Sequence, residues 1–454
     1  MPNTKKNATI TLTNGATAPI NEDKDMSERF LETLSTFLKD SLTAYHARNN
    51  ARALLLKNGF SPLSPTSDWE LFEGGKYFVE RGGSLIAFTV GGLEDFCYKL
   101  VASHVDSPAL KLKPNPVMHA GVCAKLNVET YGGGVWYSFF DRPLKIAGQV
   151  VKSENGRVYA ETVESPFHVT IPSVAVHQNR SVNEGFSVNA QVDLLPLCAL
   201  SQNFSETELL EKIAGEGEVI SHDLFLVNAD MPYSFGVNEE FLASPRIDNL
   251  TSVCATLEAL FAKADSCGVC VGAFFDHEEI GSRTTQGAAG DFLENTLKRI
   301  AYALRFDESE YYKALASSFL LSVDNAHASH PNHPEKGDPT NTCSLGKGVV
   351  IKSHAGKAYL TDGLSEGVIK TIFRKAGVQY QNFVNRSDVR SGSTLGVPAA
   401  SALGLQGVDL GLAQLAMHSA CESFAKADYT ELVNGLTAFY STDVTFDDNG
   451  FLIR

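Results

Sequence analysis

Apolar runs that stop abruptly at histidines and carboxylates, alternating with helix-period segments, predict an α/β fold. The expected form is a mixed, largely parallel sheet flanked by helices, with a mainly β segment inserted into it. Three runs carry this. FCYKLVAS runs into His104-Val105-Asp106, VCVGAFFD into His277-Glu278-Glu279, and SFLLSV into Asp324. Ligands of such sheets bind outside the carboxyl ends of the strands, and all three polar clusters stand there. The insertion is read from period-two stretches such as GRVYAETVE and FHVTIPSVAVH, with turn residues between them.

Taken in order, residues 1–26 are rich in Thr, Asn and Ala without a sustained period and predict a loose tail. From about Ser27 to Asn58, Leu and Phe recur at threes and fours, broken near Ser41-Leu42-Thr43, and Gly59 is the C-terminal cap. Further helical patterns fall at about 205–214, 249–264, 291–305, 363–376, 411–426 and 428–440. The predicted organisation is a catalytic domain from 27–108 and 246–454, with 109–245 as the β-rich insertion. No internal repeat is evident.

Composition excludes several classes. With 43 % hydrophobic and 20 % charged residues over 454 positions, the chain buries a large core and is not disordered. A net charge of −15 repels phosphate backbones, which argues against nucleic-acid binding. No apolar run reaches membrane-spanning length. Eight dispersed cysteines and a polar N-terminal stretch predict a reducing, cytoplasmic setting.

The chemistry-bearing residues are His104, Asp106, Asp248, Glu278, Glu279, Asp324 and His418. Glu278-Glu279 follows a near-continuous apolar run, and ionised groups beside a core need partners, a metal being the usual one. Asp248, in SPRIDNL, precedes a helical pattern, where Asp also serves as an N-cap. Two histidines and three carboxylates suit Zn²⁺, with Co²⁺ and Mn²⁺ also possible. Five ligands exceed the usual three of one catalytic zinc. Two metals sharing one carboxylate would use all five and activate a water between them. Asp106 could then orient His104, and one glutamate of the pair stays free to accept the water's proton.

Three other features have plainer readings. Cys267-Gly268-Val269-Cys270 has no second pair to complete a zinc site. Gly132-Gly133-Gly134 lacks the Lys-Ser/Thr of a phosphate loop and reads as a tight turn beside the insertion. His327, His330 and His333 crowd a loop after Asp324 and read as a polar rim.

SHVDSPALKLKP, ETYGGGVWYSFFDRPL, SPRIDNLTS, FFDHEEIGSRTTQGA, VDNAHASHPNH, RSGSTLG and LAMHSACE occur in this order, after LTAYHARNNARALLLKNGF. With these motifs the chain resembles the aspartyl aminopeptidase family of dinuclear metallo-aminopeptidases, from about Phe30 to Ala438. The resemblance implies a zinc-exopeptidase type of fold. It implies His104 and Asp324 on one metal, Glu279 and His418 on the other, and Asp248 bridging. It implies Glu278 as general acid and base, Asp106 orienting His104, and the insertion as a dimerisation domain. His177 matches a histidine that reaches a neighbouring subunit's site, and Lys352 and Tyr359 match positions lining the pocket for the first side chain. The implied assembly is a homo-oligomer, a tetrahedral dodecamer of dimers. The implied substrates are peptides beginning with Asp or Glu.

Two positions depart from the pattern. Arg390-Ser391 stands where many relatives carry Pro-Cys or similar, and Ser173 replaces a histidine of some relatives. The competing readings are a two-metal carboxypeptidase or N-acyl amino acid deacylase, and a non-catalytic scaffold. The scaffold's signature, a lost ligand or a lost Glu278, is absent.

Overall fold

The computed structural model describes residues 22–447 and 450–454. Its centre is a nine-stranded mixed sheet. Four strands in its middle, Val269–Phe275, Tyr98–His104, Phe319–Val323 and Gln406–Gly411, are mutually parallel and buried almost throughout. Apolar runs without alternation become strands covered on both faces, because helices pack on each side. Val101 faces one layer, with Phe37 and Leu38 of the helix Glu22–Asp40 and with Leu257 and Leu436. Leu100 and Ala102 face the other, with Leu297, Ile300 and Tyr311. Antiparallel strands Ser84–Val90 and Val349–Lys352 flank the parallel centre.

The register fixes the site. Phe275 pairs with His104, and Ser322 pairs with Ala102, so continuing the second register brings Asp324 level with His104. Three polar strand ends therefore share one edge of the sheet.

Residues 109–228 form a separate six-stranded sheet in which every pair is antiparallel. The helix Glu206–Ala214 packs on it, started by a Ser205–Glu208 capping box. Strands Tyr233–Phe235 and Phe241–Ser244 belong elsewhere. They join Glu422–Ala425, Ala413–Leu415 and Ala326–His327 in a five-stranded sheet, so the chain leaves the inserted sheet after Asn228.

Two expectations are corrected, and one helix is added. Residues 22–26 of the expected loose tail open the first helix, whereas residues 1–21 lie outside the described part. The helix expected at 411–426 is two strands joined by a turn. Its threes-and-fours spacing is overridden by pairing, Ala413–Leu415 with Glu422–Ala425 and the latter with Phe241–Ser244. Ala416 and His418, with positive φ, take backbone that no helix admits. An unread helix, Glu308–Ala316, is opened by an Asp307–Glu310 capping box, a signal present in the sequence.

Candidate metal centre

His104 ends its strand and is almost fully buried. Its Nδ1 lies 3.0 Å from the backbone carbonyl of Asp106, so Nδ1 carries the proton and Nε2 is left to coordinate. The Asp106 carboxylate is further away, 3.4 Å from Nδ1, so the backbone carbonyl is the nearer acceptor for His104. That carboxylate accepts the backbone N–H groups of Glu278 and Glu279, each at 3.1 Å, and the Tyr131 hydroxyl at 2.7 Å. Asp106 thus anchors the turn that presents both glutamates. Burial opposes its charge, but His104, Tyr131 and Glu279 N–H more than offset this and hold the carboxyl below the usual range.

Asp248 sits in the first turn of the helix Ile247–Ala262, next to a cis peptide bond to Asn249. Arg246, in left-handed backbone just before it, donates to the carbonyls of Leu38, Ser41 and Asn228, tying this entry point to the first helix and the inserted sheet. Asp248 divides its oxygens. Oδ1 is 3.4 Å from His104 Nε2 and Oδ2 is 3.4 Å from His418 Nε2. His104 Nε2 is also 3.8 Å from Asp324 Oδ1, and His418 Nε2 is 3.4 Å from Glu279 Oε1.

Two groups therefore form, His104–Asp248–Asp324 and Asp248–Glu279–His418, each with its ligand atoms within 4.8 Å of one another. Two ligand atoms about 2.1 Å from one tetrahedral Zn²⁺ lie roughly 3.4 Å apart, the spacing seen here. Asp248 Oδ1 and Glu279 Oε1 are buried without a hydrogen-bond partner. Buried carboxylate oxygens without donors are costly unless a cation completes them. The donor set and its spacing fit divalent metal.

Electrostatics point the same way. Burial opposes charge on His104 and His418, yet the surrounding carboxylates raise both, His418 to about 10. Burial lifts Glu279 well above and Glu278 up to about 8, with neighbouring carboxylates adding to each. Glu278 Oε2 lies 4.0 Å from His104 Nε2 and belongs to neither group.

Lys352 ends its strand, fully buried, with Nζ 3.2 Å from the Asn325 carbonyl and 5.2 Å from the Tyr359 ring centroid. Tyr359 is buried beside it, and its hydroxyl accepts from Asn385 Nδ2 at 3.3 Å. His177 is not brought into the cluster within this chain; it lies on an exposed turn of the inserted region.

Two residues were missed by the sequence reading. Glu422 is buried and accepts the backbone N–H of Asp248 at 2.9 Å and of His418 at 2.6 Å, holding two candidate ligands on one carboxylate. Asp276, buried at the end of its strand, is pushed up to about 8, chiefly by burial and then by Asp106. Its place directly after VCVGAFFD's apolar residues was the available signal; Glu422 is marked only by lying four residues after His418.

An α/β sheet with histidines and carboxylates gathered at its strand ends defines a metallohydrolase class of protein. Residues 37–440 match the model of the aminopeptidase I zinc metalloprotease family, M18, and the chain belongs to that family of zinc aminopeptidases. A probable M18 family aminopeptidase 2 of Clostridium acetobutylicum is 41 % identical over 427 residues, covering 91 % of this chain and 98 % of that protein. One from Clostridium novyi is 39 % identical over 432 residues, with 91 % and 99 % covered. Among solved structures, the Ape4 and Nbr1 complex aligns at a TM-score of 0.86 with 33 % identity, covering 92 % of this chain and 86 % of that one. The S. cerevisiae mApe1 dodecamer aligns at 0.78 with 26 % identity, covering 92 % and 97 %. No helix among the described residues is long and apolar enough to cross a membrane.

Proposed function

We propose that this aminopeptidase removes N-terminal Asp or Glu from peptides, using two divalent cations, Zn²⁺ first among them. His104 and Asp324 hold one, Glu279 and His418 the other, and Asp248 is shared. The observation that carries this reading is the division of Asp248, one oxygen 3.4 Å from each histidine. When bound, the cations supply Lewis acidity toward the scissile carbonyl and lower the pKa of the attacking water. The protein's own groups do the rest. Glu278, close to the cluster but outside both ligand groups, takes a proton from the attacking water and passes it to the leaving amine nitrogen. Asp106 holds the backbone of Glu278 at a fixed height above the strand ends. Lys352, buried with its ammonium directed at Asp324 and the Tyr359 face, offers charge to an acidic first side chain.

The inserted sheet is the surface through which subunits pair. Tyr137, Val174, Phe186 and Val192, exposed and apolar, line one cavity on the loops of the inserted region, a patch that a second copy would cover. His177, on the same region, would act in the neighbouring subunit's site, and the mApe1 dodecamer is the precedent for a large assembly. The deciding experiment pairs metal analysis with a panel of chromogenic substrates carrying free or blocked amino termini. Two cations per chain and cleavage only of free Asp- and Glu-initiated substrates support the reading. Cleavage of blocked amino termini makes the enzyme a deacylase or carboxypeptidase instead.

A further inference from the structure

The glycine triplet at 132–134, read from sequence as a turn, is drawn into the metal centre from the inserted sheet. Four contacts made by residues 131–135 reach three different residues of the cluster. The Tyr131 hydroxyl donates to Asp106 Oδ2 at 2.7 Å. The Gly133 carbonyl faces His418 Nδ1 at 3.0 Å, and Val135 N–H donates to the His418 carbonyl at 2.9 Å. Gly132, at φ +73°, is so close that an added Cβ would stand 3.1 Å from Glu279 Cβ. A carbonyl facing Nδ1 puts the proton there and leaves Nε2 free for a cation. A side chain at this φ is strained, and its Cβ would press on Glu279 more tightly than most packed contacts do.

We propose that Tyr131–Val135 is a positioning element for the cation site of Glu279 and His418, through which the inserted sheet sets that site's geometry. Gly133 and Val135 fix the tautomer and backbone of His418, and Gly132 leaves Glu279 its room. Tyr131 steadies Asp106, which carries the Glu278–Glu279 turn. The site of His104 and Asp324 meets this segment through the Tyr131–Asp106 bond rather than through Gly132 or Gly133, so those two glycines leave its affinity largely unchanged. The inference rests on the two-cation reading above.

The test strips the purified enzyme with a chelator and titrates it with Zn²⁺. Wild type must take up two equivalents; saturation at one overturns the two-cation reading itself and this proposal with it. Given two, Gly132→Ala is expected to keep one equivalent at wild-type affinity and weaken the other at least tenfold. In the Gly132→Ala/Glu279→Gly double variant, which removes the Cβ as well as the carboxylate, the Zn²⁺ affinities should match those of Glu279→Gly alone. Gly156→Ala is the control. It has the same kind of backbone, φ +80°, on another turn of the inserted sheet, with nothing within 4 Å of an added Cβ. It should leave both affinities unchanged. Wild-type affinities in Gly132→Ala, or equal losses in Gly156→Ala, overturn the proposal. Tyr131→Phe, which leaves the backbone intact, should lower kcat about tenfold with KM within twofold, and excess Zn²⁺ should not restore it. An unchanged kcat there also overturns it.

Discussion

Lys352 Nζ stands 3.8 Å from Oδ2 of Asp324, a carboxylate whose other oxygen faces His104. Burial works against the ammonium, but Asp324, then Tyr359 and Asp409, outweigh it and keep the lysine charged. A single buried cation therefore serves a candidate ligand on one side, and in the proposed function it meets an incoming carboxylate on the other.

If Lys352 recognises that carboxylate, Lys352→Leu removes one partner of a buried charge pair, a loss of a few kcal/mol. Turnover of Asp- and Glu-initiated peptides, as kcat/KM, should fall by roughly 10²-fold or more, at about 1.4 kcal/mol per factor of ten. Leu- and Ala-initiated peptides should lose less, bearing only the change at Asp324, and metal content measured in both proteins sets that part apart. A wild type that prefers Leu or Ala would remove the acidic specificity and leave the aminopeptidase standing.

Glu278 lies outside both ligand groups, so replacing it should separate catalysis from metal binding. Glu278→Gln is expected to bind metal as wild type does and to lose on the order of 10²–10⁴ in kcat. Full activity would mean another group accepts the proton. Loss of metal along with activity would make Glu278 a ligand.

Asp248 and Asp324 are predicted to fail differently. Asp248→Ala removes an oxygen from each group and should lose both metals together. Asp324→Ala touches only the group of His104 and should lose one. Metal-to-protein ratios after gel filtration decide this, and two metals retained in Asp248→Ala would reduce Asp248 to a helix-start residue.

Much of the centre was legible because the sheet does the gathering. Three apolar runs ending in His104, Glu278 and Asp324 become neighbouring parallel strands, and register alone then levels their ends. The helix break at Ser41–Thr43 was equally visible, with helices at Glu22–Asp40 and Ala44–Lys57 on either side. What stayed hidden depends on long-range pairing. Ala413–Leu415 and Glu422–Ala425 carry a helix-like period, and only their partners at Phe241–Ser244 and Ala326–His327 make them strands. Glu422 was missed for the same reason, since its two acceptor bonds go to backbone set by that turn and by residue 248. The contacts of Gly132 and Gly133 with Glu279 and His418 join parts of the chain more than a hundred residues apart, beyond any local pattern.

A histidine away from the cluster ties stability to pH. His46, in the helix Ala44–Lys57, has Nδ1 2.9 Å from the Thr43 hydroxyl. Burial lowers its pKa from 6.5 to about 4; Glu164 opposes this, and Arg246, Lys145 and Arg48 add to it. Between those two values the unfolded chain binds the proton and the folded chain does not, so stability rises with pH. The contribution of neutral His46 is complete above about pH 6.5 and is lost as pH falls toward about 4. Its size is a few kcal/mol at most. Asp428 runs the other way. Burial raises it to about 6 against donation from Gly348 and Gly346, so its protonated form favours the fold at low pH. The total profile mixes both, and a difference isolates one. Urea midpoints of wild type and His46→Gln, measured from pH 4 to 7.5, should converge at low pH and separate as pH rises, with wild type the more pH-sensitive. Parallel profiles would show that His46 protonates in the folded protein as readily as in the unfolded chain, and that its burial costs the charged ring nothing.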